Sequence, residues 1–166
     1  MNKLSKRINN LSESATLAMS RLSRELKQQG KDVISLSLGE PDFNTPDFIK
    51  NSAVQAINDN FSHYTPVPGI LELRKSICEK FYRDNNLEFN ENQIVVSTGA
   101  KQSIANVCLS LLDKGDEVIL LAPYWVSYFE IVKLCGAKPI VVESKIENNF
   151  KSSVKEIEKK ISNKTK

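Results

Sequence analysis

The chain has 166 residues, of which 40% are hydrophobic and 26% charged, as expected for one compact globular domain. Its net charge of +3 comes from scattered basic residues and a lysine-rich tail without interleaved aromatic residues, which argues against nucleic acid as a partner. No apolar run approaches the ~20 residues that span a bilayer, and the N-terminus lacks the apolar core of a signal peptide, so neither a membrane partner nor secretion is predicted.

The three cysteines indicate a reducing compartment. Cys78, Cys108 and Cys135 are odd in number, lie in apolar surroundings and show no Cys-x-x-Cys spacing. We therefore expect buried reduced thiols, with neither disulfides nor a metal site, and a cytoplasmic location.

The predicted elements begin with an arm over residues 1–12, where no hydrophobic period is visible. From Ala15 the apolar residues recur at helical spacing, and Gly30 provides a stop. Residues 33–38, Val-Ile-Ser-Leu-Ser-Leu, predict a short strand.

A loop rich in proline follows over residues 39–46. Thr45 and Pro46 suit the N-cap and first position of a helix. Another helix is predicted from about Ile70, because apolar residues again recur at helical spacing.

The second half of the chain alternates apolar strands with amphipathic helices. Strands are predicted at residues 94–96, 118–121 and 140–142. Amphipathic helices follow the first two, and a capping box, Ser153-x-x-Glu156, predicts a last helix. This alternation indicates an α/β fold with a mainly parallel sheet and flanking helices. Because the chain ends just after a helix, we expect the sheet to continue in a longer polypeptide.

The sharpest local signal is Ser-Thr-Gly-Ala-Lys at residues 97–101, between a predicted strand and a helix. A helix N-terminus presents unpaired amides and partial positive charge, which suits a phosphate. A plain tight connection would explain the same sequence. It matches neither the P-loop nor the dinucleotide-binding glycine pattern. Lys101 opposes the helix dipole, which weakly indicates an acidic partner.

Two aromatic residues lie in loops that could hold a ligand. Trp125 follows a buried strand, where ligands gather in open α/β sheets, although the residues alone favour a core aromatic. Tyr64 precedes a rigid Pro/Gly loop and could donate to an anion or be an ordinary loop residue. The sole histidine, His63, has no catalytic partner in the sequence and is predicted to be a surface residue.

Six segments in order resemble the fold-type-I, class I aminotransferases, especially the bacterial aspartate aminotransferase branch. The segments are Ser-Ala-Thr at 14–16, Leu-Gly-Glu-Pro-Asp-Phe at 38–43, Tyr-Thr-Pro-x-x-Gly at 64–69, Ser-Thr-Gly-Ala-Lys at 97–101, Gly-Asp-Glu-Val at 115–118 and Pro-Tyr-Trp-x-Ser-Tyr at 123–128. Each is modest alone, and together they run through nearly the whole chain. The resemblance implies an enzyme that uses pyridoxal 5'-phosphate to move an amino group from an amino acid to a 2-oxo acid.

The resemblance also implies the cofactor-binding residues. Gly99, Ala100 and Lys101 correspond to the turn whose amides hold the cofactor phosphate. Trp125 resembles the aromatic residue that packs on the pyridine ring. Tyr64 resembles a tyrosine that reaches the phosphate of a neighbouring subunit, which implies a homodimer.

Substrate-binding residues are implied in the same way. Gly39 resembles the glycine whose backbone contacts the α-carboxylate, and Trp125 lies beside it in the family's site. Thr16 and Lys101 resemble residues near the distal carboxylate of an acidic substrate, so aspartate with 2-oxoglutarate is the expected pair. Relatives that also use prephenate tend to carry a basic residue shortly before Ser-Ala-Thr. Ser12 occupies that region here, which argues against prephenate.

The chain is much shorter than the family, and the resemblance assigns no catalytic residue to it. The Schiff-base lysine, the Asn-Pro-x-x-Pro-Thr-Gly segment and the α-carboxylate arginine have no counterpart in it. Residues 1–32 are predicted to be an arm and first helix contributed to a small domain, and residues 33–166 part of the cofactor-binding large domain. Alternatives are a non-catalytic remnant, a split subunit, or an unrelated α/β binding module. The DNA downstream of Lys166 distinguishes a fragment of an enzyme from a remnant or split subunit. An open reading frame that encodes Asn-Pro-Thr-Gly supports the enzyme, whereas a stop codon supports a remnant or split subunit.

Overall fold

The computed structural model describes residues 3–166, so the part of the predicted arm at Met1 and Asn2 lies outside the described residues. Helices and two strands follow one another along the chain. The helices are α1 (Lys6–Asn9), α2 (Ala15–Gln28), α3 (Asp47–Asn58), α4 (Leu71–Asn85), α5 (Ala100–Leu111), α6 (Val126–Leu134) and α7 (Val154–Glu158). The strands are β1 (Glu117–Leu121) and β2 (Lys138–Val142), and short 3₁₀ turns lie at Glu91–Gln93 and Ile146–Asn148. Across residues 3–166, none of the helices combines the length and the apolarity needed to cross a membrane.

Contacts divide the chain into two compact units. The chain up to Leu38 together with Gly99–Lys166 forms the first unit, and Gly39–Thr98 forms the second. The predicted boundary after residue 32 concerns the domains of a longer polypeptide, and it stays a prediction.

The first unit contains a parallel sheet, as the sequence predicts. β1 and β2 pair in parallel from Glu117 opposite Lys138 to Leu121 opposite Val142, with α6 as the connection between them. Thr165 adds a parallel bridge to Glu117. There the Glu117 amide donates to the Lys164 carbonyl at 2.8 Å, and the Lys166 amide donates to the Glu117 carbonyl at 3.0 Å. The lysine-rich tail therefore pairs with the sheet through its backbone and is not simply a solvated helix end.

The buried core of this unit lies between the sheet and α6. Leu120 and Val142 are buried on the strands, Val132 is 2% exposed on α6, and Ala137 is buried at the start of β2. α6 contacts both strands, and the burial of Val132 identifies the face of the helix that packs on the sheet.

Most of the helices are confirmed, because their signals are local. α2 begins at Ala15 with the Ser14 hydroxyl capping the amide of Leu17. α7 begins after the predicted capping box, in which Ser153 and Glu156 exchange hydrogen bonds. These bonds from Ser153 lower the pKa of the exposed Glu156 carboxyl.

Two predicted strands are wrong. Residues 33–38 form no ladder within the described chain, and Ile34 and Leu36 are 84% and 91% exposed. Residues 94–96 bury Ile94, but the Val96 amide bonds to the carbonyl of Pro68 in a loop at 3.0 Å. An apolar β-branched run becomes a strand only beside a second strand, and the described residues supply none at these positions.

Smaller boundaries also differ. The predicted arm contains the four-residue helix α1. Pro46, and not Thr45, is the N-cap of α3, and α7 ends at Glu158, before Ile161. The cysteines are free but half-buried, where full burial was predicted. Burial nevertheless raises the pKa of two of the thiols, Cys108 and Cys135, and the neighbouring Cys108 adds to the rise at Cys135.

Candidate active site

The N-terminus of α5 has the features of an anion site. Gly99 is its N-cap, with φ 85° and ψ 164°, and no side chain caps this helix. The leading amides of an α-helix have no partner inside the helix, so the amides of Ala100 and Lys101 are available to a ligand. A Cβ placed on Gly99 would meet no atom within 4 Å, so the space beside these amides is open. The arrangement fits a phosphate group held by backbone N–H donors.

Lys101 and Trp125 lie together beside this helix start. The Lys101 ammonium Nζ is 5.3 Å from the centroid of the Trp125 ring, within the range of a cation–π contact. Trp125 is the N-cap of α6 and is 42% exposed, so it is not a buried core aromatic. Two predicted site residues, 24 positions apart in the sequence, are thus adjacent, and the indole is partly exposed.

An apolar cleft of about 600 Å³ opens next to Lys101. The segment before α2, the first turns of α5 and one face of α6 line it, and its charged residues are Lys101 on α5, Glu130 on α6 and Glu13 in the segment before α2. Ser14 and Ala15 line the cleft, whereas Thr16, half-buried in the first turn of α2, does not. Of the two carboxylates, Glu13 pairs with Arg21 and Glu130 with Lys133, so the Lys101 ammonium is the group of the lining that could pair with a small organic anion.

The predicted residues of the second unit lie in exposed loops. Gly39 is exposed with open space around its Cα, and Tyr64 is fully exposed. His63 is exposed as well, in agreement with the predicted surface role. The Tyr64 side chain is accessible to another molecule, but nothing in the structure tests its predicted role.

The loop that carries Tyr64 is fixed at its far end. Arg74 donates from Nε to the Gly69 carbonyl at 3.1 Å and from Nη1 to the Glu91 carbonyl at 2.7 Å. A Cβ on Gly69 would lie 2.8 Å from a methyl group of Val96, so only glycine fits this left-handed position at φ 99°. The loop is therefore held in one conformation close to Tyr64.

The sequence analysis did not identify Glu130 as a residue of the cleft. Glu130 on α6 accepts through Oε2 a hydrogen bond from the Ser12 amide at 3.2 Å, and Lys133 Nζ lies 3.0 Å from the same oxygen. The sequence does show that Glu130 and Lys133 are three residues apart, a spacing that allows an ion pair along one helix. The contact with Ser12 joins positions 118 residues apart, and no local pattern could reveal it.

Comparison with known proteins places the chain in a family. Residues 31–166 match the model of aminotransferase class I and II. The chain belongs to this family. It is 49% identical over 164 residues to the aspartate aminotransferase of Bacillus subtilis, and 48% identical over 166 residues to a probable aspartate/prephenate aminotransferase of Rickettsia felis. These matches cover 99% and 100% of this chain but 42% and 41% of the relatives.

Solved structures of aminotransferases share the fold. The aspartate aminotransferase of Thermus thermophilus with maleate has a TM-score of 0.95 at 40% identity, over 100% of this chain and 44% of that one. The alanine aminotransferase of Pyrococcus furiosus has a TM-score of 0.93 at 30% identity, over 99% and 42%. The α/β fold is confirmed, and the chain spans less than half the length of the curated relatives it matches.

Proposed function

We propose that the complete polypeptide containing this chain is a pyridoxal-phosphate-dependent aminotransferase that exchanges the amino group of aspartate with 2-oxoglutarate. The observation that carries the proposal is the pairing of Lys101 with an exposed Trp125 beside the open N-terminus of α5. One region thus contains backbone amides that suit a phosphate, the flat ring of Trp125, and the Lys101 ammonium that suits an acidic side chain. The names of the relatives, aspartate aminotransferases from several bacteria, support the same reading.

Pyridoxal phosphate, when bound, supplies an electron-withdrawing ring on which amino groups are exchanged. The amides of Gly99, Ala100 and Lys101 hold its phosphate, because they are unpaired donors at the positive end of a helix dipole. Trp125, which is 42% exposed, packs on the ring. Tyr64 donates to the phosphate of a neighbouring subunit, so the active unit is a homodimer.

The substrate is recognised through its two carboxylates. The backbone of Gly39 contacts the α-carboxylate, and Lys101 with Thr16 meets the distal one. An exposed cation–π contact is worth about 0.5–1 kcal/mol, whereas a charge-assisted hydrogen bond contributes about 1.5–3 kcal/mol. The Lys101 ammonium therefore leaves the Trp125 face for a substrate carboxylate. Maleate, named in the Thermus thermophilus structure, is likewise a dicarboxylate.

The lysine that carries the cofactor belongs to the remainder of the polypeptide in this proposal. A non-catalytic remnant or split subunit is the alternative, and the reading frame after Lys166 distinguishes it. A cytoplasmic location stays a prediction from the sequence.

The test is to express the complete polypeptide, load it with pyridoxal phosphate and record its visible absorbance. We expect a bound-cofactor band that aspartate converts and 2-oxoglutarate restores. Failure to retain the cofactor after dialysis, or a band that aspartate does not alter, contradicts the proposal.

Prephenate is a second acceptor to measure, since several relatives carry it in their names. Ser12 stands where prephenate-using relatives tend to carry a basic residue, so we expect turnover with prephenate well below that with 2-oxoglutarate. Equal turnover with both acceptors contradicts this restriction.

A further inference from the structure

We propose that Glu130 is a positioning residue: it fixes the segment before α2 beside the cleft and thereby sets the affinity for the acidic substrate. This proposal rests on the proposed function, because it assigns a role in binding the same aspartate. In this proposal Glu130 contacts neither the cofactor nor the substrate.

The contact joins two walls of the cleft. The Ser12 amide donates to Glu130 Oε2 at 3.2 Å, and α1, just before this segment, packs against α6. Both the segment before α2 and Glu130 line the cleft next to Lys101. Four residues after Ser12 comes Thr16, which we place near the distal carboxylate.

The other hydrogen bonds of this segment are local and do not fix it to α6. The Leu11 amide bonds to the Ile8 carbonyl at 3.1 Å, and the Ser14 hydroxyl caps Leu17. Neither bond joins the segment to α6. The packing of α1 on α6 holds the chain before the segment, and the bond from Ser12 to Glu130, between positions 118 residues apart, attaches the segment itself to α6.

Lys133 holds the carboxylate in place for this contact. Its Nζ lies 3.2 Å from Oε1 and 3.0 Å from Oε2 of Glu130. The side chains of Lys133 and Glu130 are 27% and 26% exposed, so solvent screens the pair only partly. The carboxylate is thus oriented with one oxygen toward the Ser12 amide.

Three variants of the complete holoenzyme separate this role from general stability. Glu130→Ala removes the acceptor, Glu130→Gln keeps an acceptor oxygen without the charge, and Lys133→Met removes the ion pair but keeps the carboxylate. Hydrogen exchange at residues 10–14, measured without substrate, reports directly on the Ser12 bond. We expect exchange to be about 2- to 10-fold faster in Glu130→Ala and close to wild type in Glu130→Gln, with Lys133→Met between the two because its carboxylate remains without the ion pair that orients it.

Kinetics then test the consequence. In Glu130→Ala the KM for aspartate should rise about 2- to 10-fold, with kcat and the cofactor absorbance near wild type, and Glu130→Gln should restore most of the affinity. The KM for alanine, which has no distal carboxylate, should change less. Unchanged exchange in Glu130→Ala, or an equal change in KM for both substrates, overturns the proposal. Wild-type turnover of aspartate reports separately on the proposed function.

Discussion

At the scale of single residues, Lys101 is placed where a lysine is mildly unfavourable. A cation in the first turn of a helix opposes the dipole at a cost of about 0.3–1 kcal/mol. The indole of Trp125, with its centroid 5.3 Å from Nζ, provides a cation–π contact that offsets a similar amount of free energy. The pair therefore costs the fold little and keeps an ammonium ready for an anion at the cleft.

We expect Lys101→Ala in the complete enzyme to lower kcat/KM for aspartate by about 10- to 150-fold. This range corresponds to the loss of a charge-assisted contact of about 1.5–3 kcal/mol. Cofactor occupancy, read from absorbance, should be nearly unchanged, because the substitution keeps the Lys101 amide that we propose as a donor to the phosphate. Activity toward alanine should change little. Lys155→Ala, at an exposed lysine of α7, is the matched control.

An equal drop for aspartate and alanine in Lys101→Ala would show that the residue serves the cofactor or the fold. The acidic-substrate assignment would then lose its main support.

We expect Trp125→Ala to weaken cofactor or substrate binding without preventing folding. The side chain is 42% exposed, so little core packing is lost, whereas ring stacking contributes about 0.5–1.5 kcal/mol. Binding of pyridoxal phosphate, followed by titration, should weaken by about 2- to 10-fold, and Trp125→Phe should recover part of it. If the variant is insoluble while wild type folds, Trp125 is a core residue after all.

At the scale of elements, the sequence predicts what local chemistry decides. The capping box at Ser153 and the helical period from Ala15 identify helices without any knowledge of distant residues. The signal for the start of α5 at Ala100 is equally local, whereas the anion site proposed there stays a prediction. The apolar runs at 33–38 and 94–96 need a partner strand, and the Glu130 bond needs a contact 118 residues away. A short stretch of sequence reveals neither the missing partner strand nor the distant contact.

We expect Gly99→Ala to destabilise the complete enzyme by about 1–3 kcal/mol, because φ 85° and ψ 164° lie in a region that only glycine adopts readily. The cost is conformational, since no atom lies within 4 Å of the added Cβ. In the complete enzyme the methyl group also occupies the space that the phosphate needs, so cofactor affinity should fall. Gly39→Ala is the control for stability, because Gly39 has open space and no positive φ. Equal thermal midpoints for the two variants would contradict this account.

At the scale of the whole molecule, the described chain buries few apolar side chains for its length. Its buried hydrophobic residues are Ile94, Leu120, Val132, Ala137 and Val142. Large apolar side chains such as Phe43, Phe48 and Phe61 are instead more than 70% exposed in the second unit. Exposed apolar surface of this kind belongs to interfaces or promotes association.

We therefore expect the isolated 166-residue chain to be a poor monomer. Thermal unfolding should be broad, and the chain should associate in size-exclusion chromatography, because the core is too small to support a cooperative transition. Calorimetry with light scattering measures both properties. A monodisperse monomer with one sharp, reversible transition would contradict the prediction.

The central claim is that Lys101 and its cleft select an acidic amino donor in a family enzyme. Its most direct test is the ratio of kcat/KM for aspartate to that for alanine, measured on the complete wild-type polypeptide with 2-oxoglutarate as acceptor. A distal carboxylate contact of about 1.5–3 kcal/mol predicts a preference for aspartate of about 10- to 150-fold. Equal efficiency for the two donors, or a preference for alanine, would contradict the account.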